Sequence, residues 1–381
     1  MVGCSRTQQF TRAGAVGESA AEPEQLSNLL QQRHLPALDG LRAVAVFMVI
    51  GYHFGLPIPG DLGVSMFFVL SGFLITWLLL SEYGTAGTIS LRNFYSRRVL
   101  RIFPAYYFFI TVSLIIDNFR GHFWDRALIL SGFFYVVNYF NATHGHPPTS
   151  ISHAWSLGIE EQFYVLWPLV VLALARRSRR RALAMLTIII VGVAAWRSFV
   201  YLALHSGPAY AYNAFDTRFD NLAVGCFLAL CAGQSWFLGF ARTVAWSALL
   251  PVVTLVFLIL SRSGIESYHY SIGFTVDAVL VVVLLVQLML LHRHPLWSWL
   301  QNPVVRYLGI ISYPLYLWHA WGLGVGQRLH VLPAAGQFIV GVGVCIALAS
   351  GSYFVIEKPF LSLKKRFGPL ASVTPPAASV S

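Results

Sequence analysis

Charge is scarce in this chain, and acid most of all. Asp and Glu number 15 in 381 residues against 26 Lys and Arg, and charged residues make up only 11%. Soluble domains carry about 25%. The deficit, with 57% hydrophobic residues, excludes an ordinary water-soluble domain and indicates an integral membrane protein. Cysteine is thin as well. Cys4, Cys226, Cys231 and Cys345 form no CxxC pair and no His-linked pattern, so neither a disulfide framework nor a metal site is indicated. The first 33 residues lack the apolar core of a signal peptide. Polar and rich in Gly, Ala, Glu and Gln, residues 1–33 read as a disordered cytosolic tail, and 367–381 as a second disordered tail. No internal repeat stands out, which leaves one membrane domain over 34–366.

The net charge of +11 is not the footprint of a nucleic-acid partner, because the basic residues sit in short loops between apolar runs. Eleven such runs lie between residues 38 and 356, and the one at 127–140 is the shortest. The basic clusters are Arg92/Arg97/Arg98/Arg101, the RRSRRR stretch at 176–181, Arg242, Arg293/Arg306 and Lys358/Lys364/Lys365/Arg366. If 127–140 does not cross, every cluster falls on the cytosolic side, as the positive-inside rule requires. The expected fold is therefore an all-α, polytopic transmembrane bundle of about ten spanning helices with both termini cytosolic. The 127–140 segment becomes interfacial or re-entrant on the outer side, its irregular backbone buried against protein. GLGVG (322–326) and GVGVC (341–345) suit close helix packing.

Within LDGLRAVAVFMVIGYHF, the first run, Arg42 and His53 stand eleven residues apart. Eleven steps of 100° return to nearly the same face, about 16 Å further along the axis. Ionisable groups near a bilayer centre cost about 2.5–3.5 kcal/mol each, so two on one stripe mark a functional site. His53 is suited to act as a general base near neutral pH, and Arg42 to anchor an anion. The plainer reading pairs Arg42 with Asp39 at i,i+3, with the guanidinium reaching to the cytosol.

Four further stretches carry chemistry. FYSRRVLRIFPAYY (94–107) presents Arg97, Arg98 and Arg101 ahead of a span, either to bind phosphates or simply to hold the loop inside. WSLGIEEQFYVLWP (155–168) brings Ser156, Glu160, Glu161 and Tyr164 to the start of another span; Ser156 can cap the helix, but a cap leaves two acids and Gln162 unexplained. Asp216, Arg218 and Asp220 alternate in charge at the outer mouth of a span, as a local ion-pair network or a substrate contact. LGIISYPLYLWHA (308–320) carries Pro314, which predicts a kink, and His319 deep in an apolar helix as a pocket candidate. Asn141-Ala142-Thr143 matches a glycosylation sequon.

Taken in order, these stretches resemble the acyltransferase-3 family of membrane acyltransferases that modify carbohydrates. The matching pieces also include GVSMFFVLSGFLIT (63–76), RFDNLAVG (218–225) and EKPF (357–360), so the resemblance covers about 35–366. It implies a ten-helix domain in a bacterial inner membrane, with acyl-CoA as acyl donor and no permanently bound cofactor. It also implies critical roles for Arg42 and His53 and an arginine-rich loop at Arg97, Arg98 and Arg101. The expected reaction is O-acyl transfer, such as O-acetylation, to a carbohydrate hydroxyl in polysaccharide biosynthesis or on a lipid-linked glycan or glycosylated small molecule. His53 would be the base, with Arg42, Glu160 and Glu161 as catalytic partners and the Glu pair orienting the imidazole or the acceptor. Arg97, Arg98, Arg101 and Arg42 would hold the acyl-CoA phosphates. Asp39, Ser156, Tyr164, Arg218, Asp220 and His319 would contact substrate. Some relatives carry an appended esterase-like domain, and none is expected here because the chain ends soon after EKPF. The alternatives are a glycan or lipid transporter or flippase, against which the lack of an inverted repeat counts, and a non-catalytic sensor.

Overall fold

The computed structural model describes residues 36–232, 234–260 and 265–367, and the described residues contain helices and no strand. Both expected tails, apart from Phe367, lie outside the described residues, as does Cys4. Among the described residues, seven helical segments are long and apolar enough to cross a membrane: Ala37–Phe54, Gly60–Ala86, Leu91–Phe119, Ser152–Ala175, Arg179–Leu202, Glu266–Leu291 and Ala334–Leu363. The chain is thus a multi-pass membrane protein, but the expected count of ten is not reached on these criteria. The three remaining runs form shorter pieces. The run at 219–233 falls in a helix of 17 residues, Phe215–Cys231. That at 243–261 divides between Ser235–Val244 and Leu250–Leu260. That at 307–325 breaks between Pro303–Ile310 and Ser312–Gln327. The last break has a local cause: the Pro314 ring cannot tolerate the carbonyl four residues earlier, and the helix opens at Ile311 (φ −89°, ψ 12°).

The first three helices are α1 (Pro36–Phe54), α2 (Gly60–Ala86) and α3 (Leu91–Phe119). The 127–140 region then forms two helices of eight residues, α4 (Arg126–Phe133) and α5 (Val137–His144), each too short to cross. They meet at Tyr135, whose φ of 56° is left-handed, a conformation that costs about 1–3 kcal/mol unless its surroundings impose it. Here they do. The Tyr135 ring stacks on Tyr106 at 4.0 Å, and its carbonyl accepts from Gln162 Nε2 at 3.1 Å. Gln162, left over by the capping reading, thus ties this hairpin to α6 (Trp155–Ala175) through Tyr135 and Asn138. Asn141 of the sequon is fully buried, donating to the Ser152 carbonyl, and offers no attachment point.

Next come α7 (Arg179–Leu202), α8 (Gly207–Asn213), α9 (Phe215–Cys231), α10 (Ser235–Val244) and α11 (Leu250–Leu260). A π-turn at His269–Gly273 leads into α12 (Phe274–Leu291), followed by α13 (Pro303–Ile310), α14 (Ser312–Gln327), α15 (Ala334–Ser352) and α16 (Lys358–Leu363). Small residues set the closest crossings. A Cβ on Gly72 of α2 would lie 2.0 Å from the Leu222 carbonyl of α9, and one on Gly225 would lie 2.1 Å from that of Val69. On α14, Gly322 and Gly326 leave room for Cys345 and Gln337 of α15 in the same way, the packing expected of the two glycine-rich tracts.

Candidate functional site

Among the described residues, one cavity lies along each half of α1. The first, about 320 Å³, is lined by Leu38, Asp39 and Arg42 of α1, by Ser71 of α2, and by Arg98 and Arg101 of α3. Ser156, Glu160, Glu161 and Tyr164 of α6 complete its polar wall, with Tyr313 and Tyr316 of α14 and Lys364 from the C-terminal turn. The second, about 780 Å³, is lined by Val49, Tyr52 and His53 of α1, by Asp61, His146, His153 and His269, and by Tyr316 and His319. Arg42 and His53 therefore both face protein-lined space, and not the same space. Val64 and Tyr316 line both cavities. The Tyr316 hydroxyl lies 2.6 Å from that of Ser156 and donates to the His153 carbonyl at 2.8 Å, so one layer of side chains separates the two chambers.

The arginine cavity gathers cations from distant parts of the chain. Arg42 donates to Asp39 at 3.1 Å, keeping a quarter of its side chain exposed. Arg98 lies over the Phe94 and Tyr164 rings at 5.6 Å each, and its buried Nε has no partner among the described residues. Arg101 is exposed. Lys364 is half-buried, and desolvation by burial, followed by repulsion from Arg101, Arg98 and Arg97, holds its ammonium down to about 8. Arg97 is not part of the lining. Its guanidinium donates to Glu82 at 3.1 Å and to the Phe367 carbonyl at 2.9 Å, while Glu82 also accepts from the Ser90 amide. Arg97 therefore braces the C-terminal turn that carries Lys364.

The acids lie with the cations, not with the imidazole. The Ser71 hydroxyl donates to Glu160 at 2.6 Å and lies 3.1 Å from the Tyr164 hydroxyl, so Glu160 and Tyr164 share one hydroxyl of α2. Glu161 lines the same chamber. Neither Glu lines the His53 chamber, so the expected carboxylate support for His53 is not there. Ser156 is not a helix cap either, because a 3₁₀ turn at Ser152–Ala154 feeds straight into α6 and the hydroxyl goes to Tyr316.

Around His53 the partners are other imidazoles. The His53 and His319 ring centroids are 4.7 Å apart, and those of His319 and His153 are 4.5 Å apart. Each ring is fixed by a backbone carbonyl. His53 Nδ1–H donates to Val49 O at 2.9 Å, His319 Nδ1–H to Tyr316 O at 2.6 Å, and His153 Nε2–H to Leu317 O at 3.1 Å. A carbonyl only accepts, so in the neutral rings the lone pair sits on Nε2 of His53 and of His319. His319 Nε2 is fully buried with no partner among the described residues. His153 was missed in the sequence although it stands two residues before WSLGIEE; nothing in its spacing points at α1.

Arg218 and Asp220 line neither cavity. Asp220 is fully buried against Arg197 at 2.9 Å and accepts from the Thr275 hydroxyl. The Arg218 guanidinium lies 3.6 Å over the Phe274 ring and donates to Ser65. Asp216 accepts from Trp196 at 2.7 Å. The alternating charges join α2, α7, α9 and α12. Among the described residues no group of three or more His, Cys, Asp or Glu is placed to hold a metal.

The sequence profile described as an acyltransferase domain matches residues 35–354. The chain is 32% identical over 357 residues to a provisionally named peptidoglycan O-acetyltransferase of Bacillus subtilis, covering 86% of this chain and 55% of that protein. To the peptidoglycan O-acetyltransferase of Listeria monocytogenes it is 31% identical over 359 residues, covering 86% and 56%. A provisionally named O-acetyltransferase of Staphylococcus aureus is 31% identical over 368 residues, covering 87% and 58%. The chain thus spans little more than half the length of these relatives. No solved structure matches it. With the family profile running from α1 to α15 through both cavities, this chain belongs to the acyltransferase-3 family of membrane acyltransferases.

Proposed function

We propose that the protein transfers an acyl group, acetyl in the simplest case, from acyl-CoA to a carbohydrate hydroxyl at a bacterial inner membrane. The acceptor would be peptidoglycan, after the names of the relatives. The observation that carries this reading is the pair of cavities meeting at Tyr316, one lined with arginines and a lysine and the other with imidazoles. With both termini in the cytosol, the arginine cavity opens inward, where Arg98, Arg101, Lys364 and Arg42 meet the CoA phosphates through charge-assisted bonds. The acyl end of the donor extends toward the Ser156–Tyr316 pair, and the sugar enters the histidine cavity from outside. His53 Nε2 takes the proton of the acceptor hydroxyl as its oxygen attacks the thioester carbonyl. The C–S bond breaks and CoA leaves as a thiolate that is then protonated. The new imidazolium is held through Nδ1–H by the Val49 carbonyl, on the side of the ring that the carboxylate takes in the usual triad.

Membranes bearing the protein, given radiolabelled acetyl-CoA and a peptidoglycan acceptor, should place covalent label on the acceptor. His53→Ala should lower transfer by about 10²–10⁴-fold with normal insertion. Arg98→Ala with Arg101→Ala should raise the donor KM, and Arg97→Ala should instead reduce folded yield. Movement of acceptor across the membrane without acylation, or near-normal turnover by His53→Ala, would overturn the proposal.

A further inference from the structure

The wall of the histidine cavity carries a feature that proton transfer does not use. Asp61, in the first turn of α2, pairs with His269 Nε2 at 3.2 Å. His269 opens the π-turn His269–Gly273, and such widened turns recur at functional sites. The pair is 19% and 18% exposed, neither sealed like Asp220 nor washed by solvent, and both residues line the cavity. Rings stand around it: Tyr52, Trp155, Tyr212 and Tyr270 belong to the same wall. Tyr52 is more than half exposed, and its ring meets that of His53 edge-on at 5.4 Å. A volume of about 780 Å³ falls in the range of cavities that enclose a ligand larger than one ring.

We infer that this wall is a saccharide subsite, in which Asp61 and His269 together grip ring hydroxyls or N-acetyl groups of an uncharged sugar while the aromatic rings pack against its C–H faces. The chemistry points away from the alternatives. A carboxylate in the wall repels phosphates and carboxylated ligands. A sugar offers hydroxyls that donate to Asp61, whose carboxylate His269 holds in place, and C–H faces that suit Tyr and Trp. Asp61, His269 and His53 line the same cavity, so a sugar held by the pair can present a hydroxyl to His53 Nε2. This rests on the acceptor entering the histidine cavity, and it assigns acceptor recognition to two residues outside the proton-handling group.

The test uses the full chain in lipid nanodiscs with β-1,4-linked di-N-acetylglucosamine as probe. Saturation-transfer NMR should show the disaccharide bound by the wild type, and both Asp61→Asn and His269→Gln should weaken it about tenfold, the loss of one hydrogen bond to a charged group. In the transfer assay the same variants should raise the acceptor KM, leaving donor KM and thermal stability unchanged. No binding by the wild type at millimolar disaccharide, or variants within twofold of wild type, would overturn the subsite. Binding by the wild type and its loss in both variants, without any acyl transfer, would uphold the subsite while refuting the transfer chemistry.

Discussion

A lysine that sequence reasoning assigned to topology alone has the most to add at the scale of single residues. Lys364 reaches the arginine cavity from a 3₁₀ turn held by Arg97, and its ammonium titrates at about 8 because burial and three guanidiniums disfavour its charge. An anionic ligand reverses that balance and draws a proton onto the amine. Donor affinity should therefore be full below that value and fall several-fold as pH rises through about 8. Lys364→Arg, charged throughout, should flatten the profile. Donor titrations at a series of pH values would check this, and an equal slope in the variant would remove Lys364 from the donor site. The stripe of Arg42 and His53 was legible because it depends only on helical periodicity. Lys364 and His153 were not, because their meeting with Arg98 and with His319 is made by chain closure across the whole sequence. The same limit misplaced Glu160 and Glu161: helix spacing puts both acids on α6, but not at one end or the other of α1.

Among the elements, backbone approach controls which faces meet. The crossing of α2 and α9 at Gly72 and Gly225 holds Ser71, and so Glu160 and Tyr164, at the wall of the arginine cavity. Gly72→Ala would push a methyl group into the Leu222 carbonyl, which has no rotamer with which to yield. A loss of about 1–3 kcal/mol is expected, seen as a lower thermal midpoint in detergent, whereas Gly84→Ala, in open space on the same helix, should not be destabilising. The glycine tracts of α14 and α15 were readable as packing devices. The breaks at Ile311 and Tyr135 were only half readable: Pro314 announces the first, while the second depends on Tyr106 and Gln162 arriving from other helices to impose a left-handed tyrosine.

For the molecule as a whole, the proposed sidedness rests on the arrangement of charge. Single cysteines in a background lacking the native ones, at Thr88 and Ser178 on one side and Thr143 on the other, all occupy exposed positions. On intact cells a membrane-impermeant maleimide should label the Thr143→Cys protein alone, and the other two after lysis. Label on the Ser178→Cys protein from outside would invert the topology and with it the order of donor and acceptor. The class of fold was plain from composition, because burial of so many apolar residues without charge leaves only a bilayer. The number of crossings was not, because runs of similar hydropathy formed both continuous spans and broken pairs.

Two chambers end to end, divided at Tyr316 and Ser156, also shape the electric field. Where water enters from both faces, the transmembrane voltage falls mainly over the thin septum between them. One elementary charge crossing the full drop changes energy by about 2.3 kcal/mol per 100 mV. In the proposed transfer a thiolate on one side of that septum and an imidazolium on the other would separate charge along the field, so the rate should respond to the polarisation of the membrane.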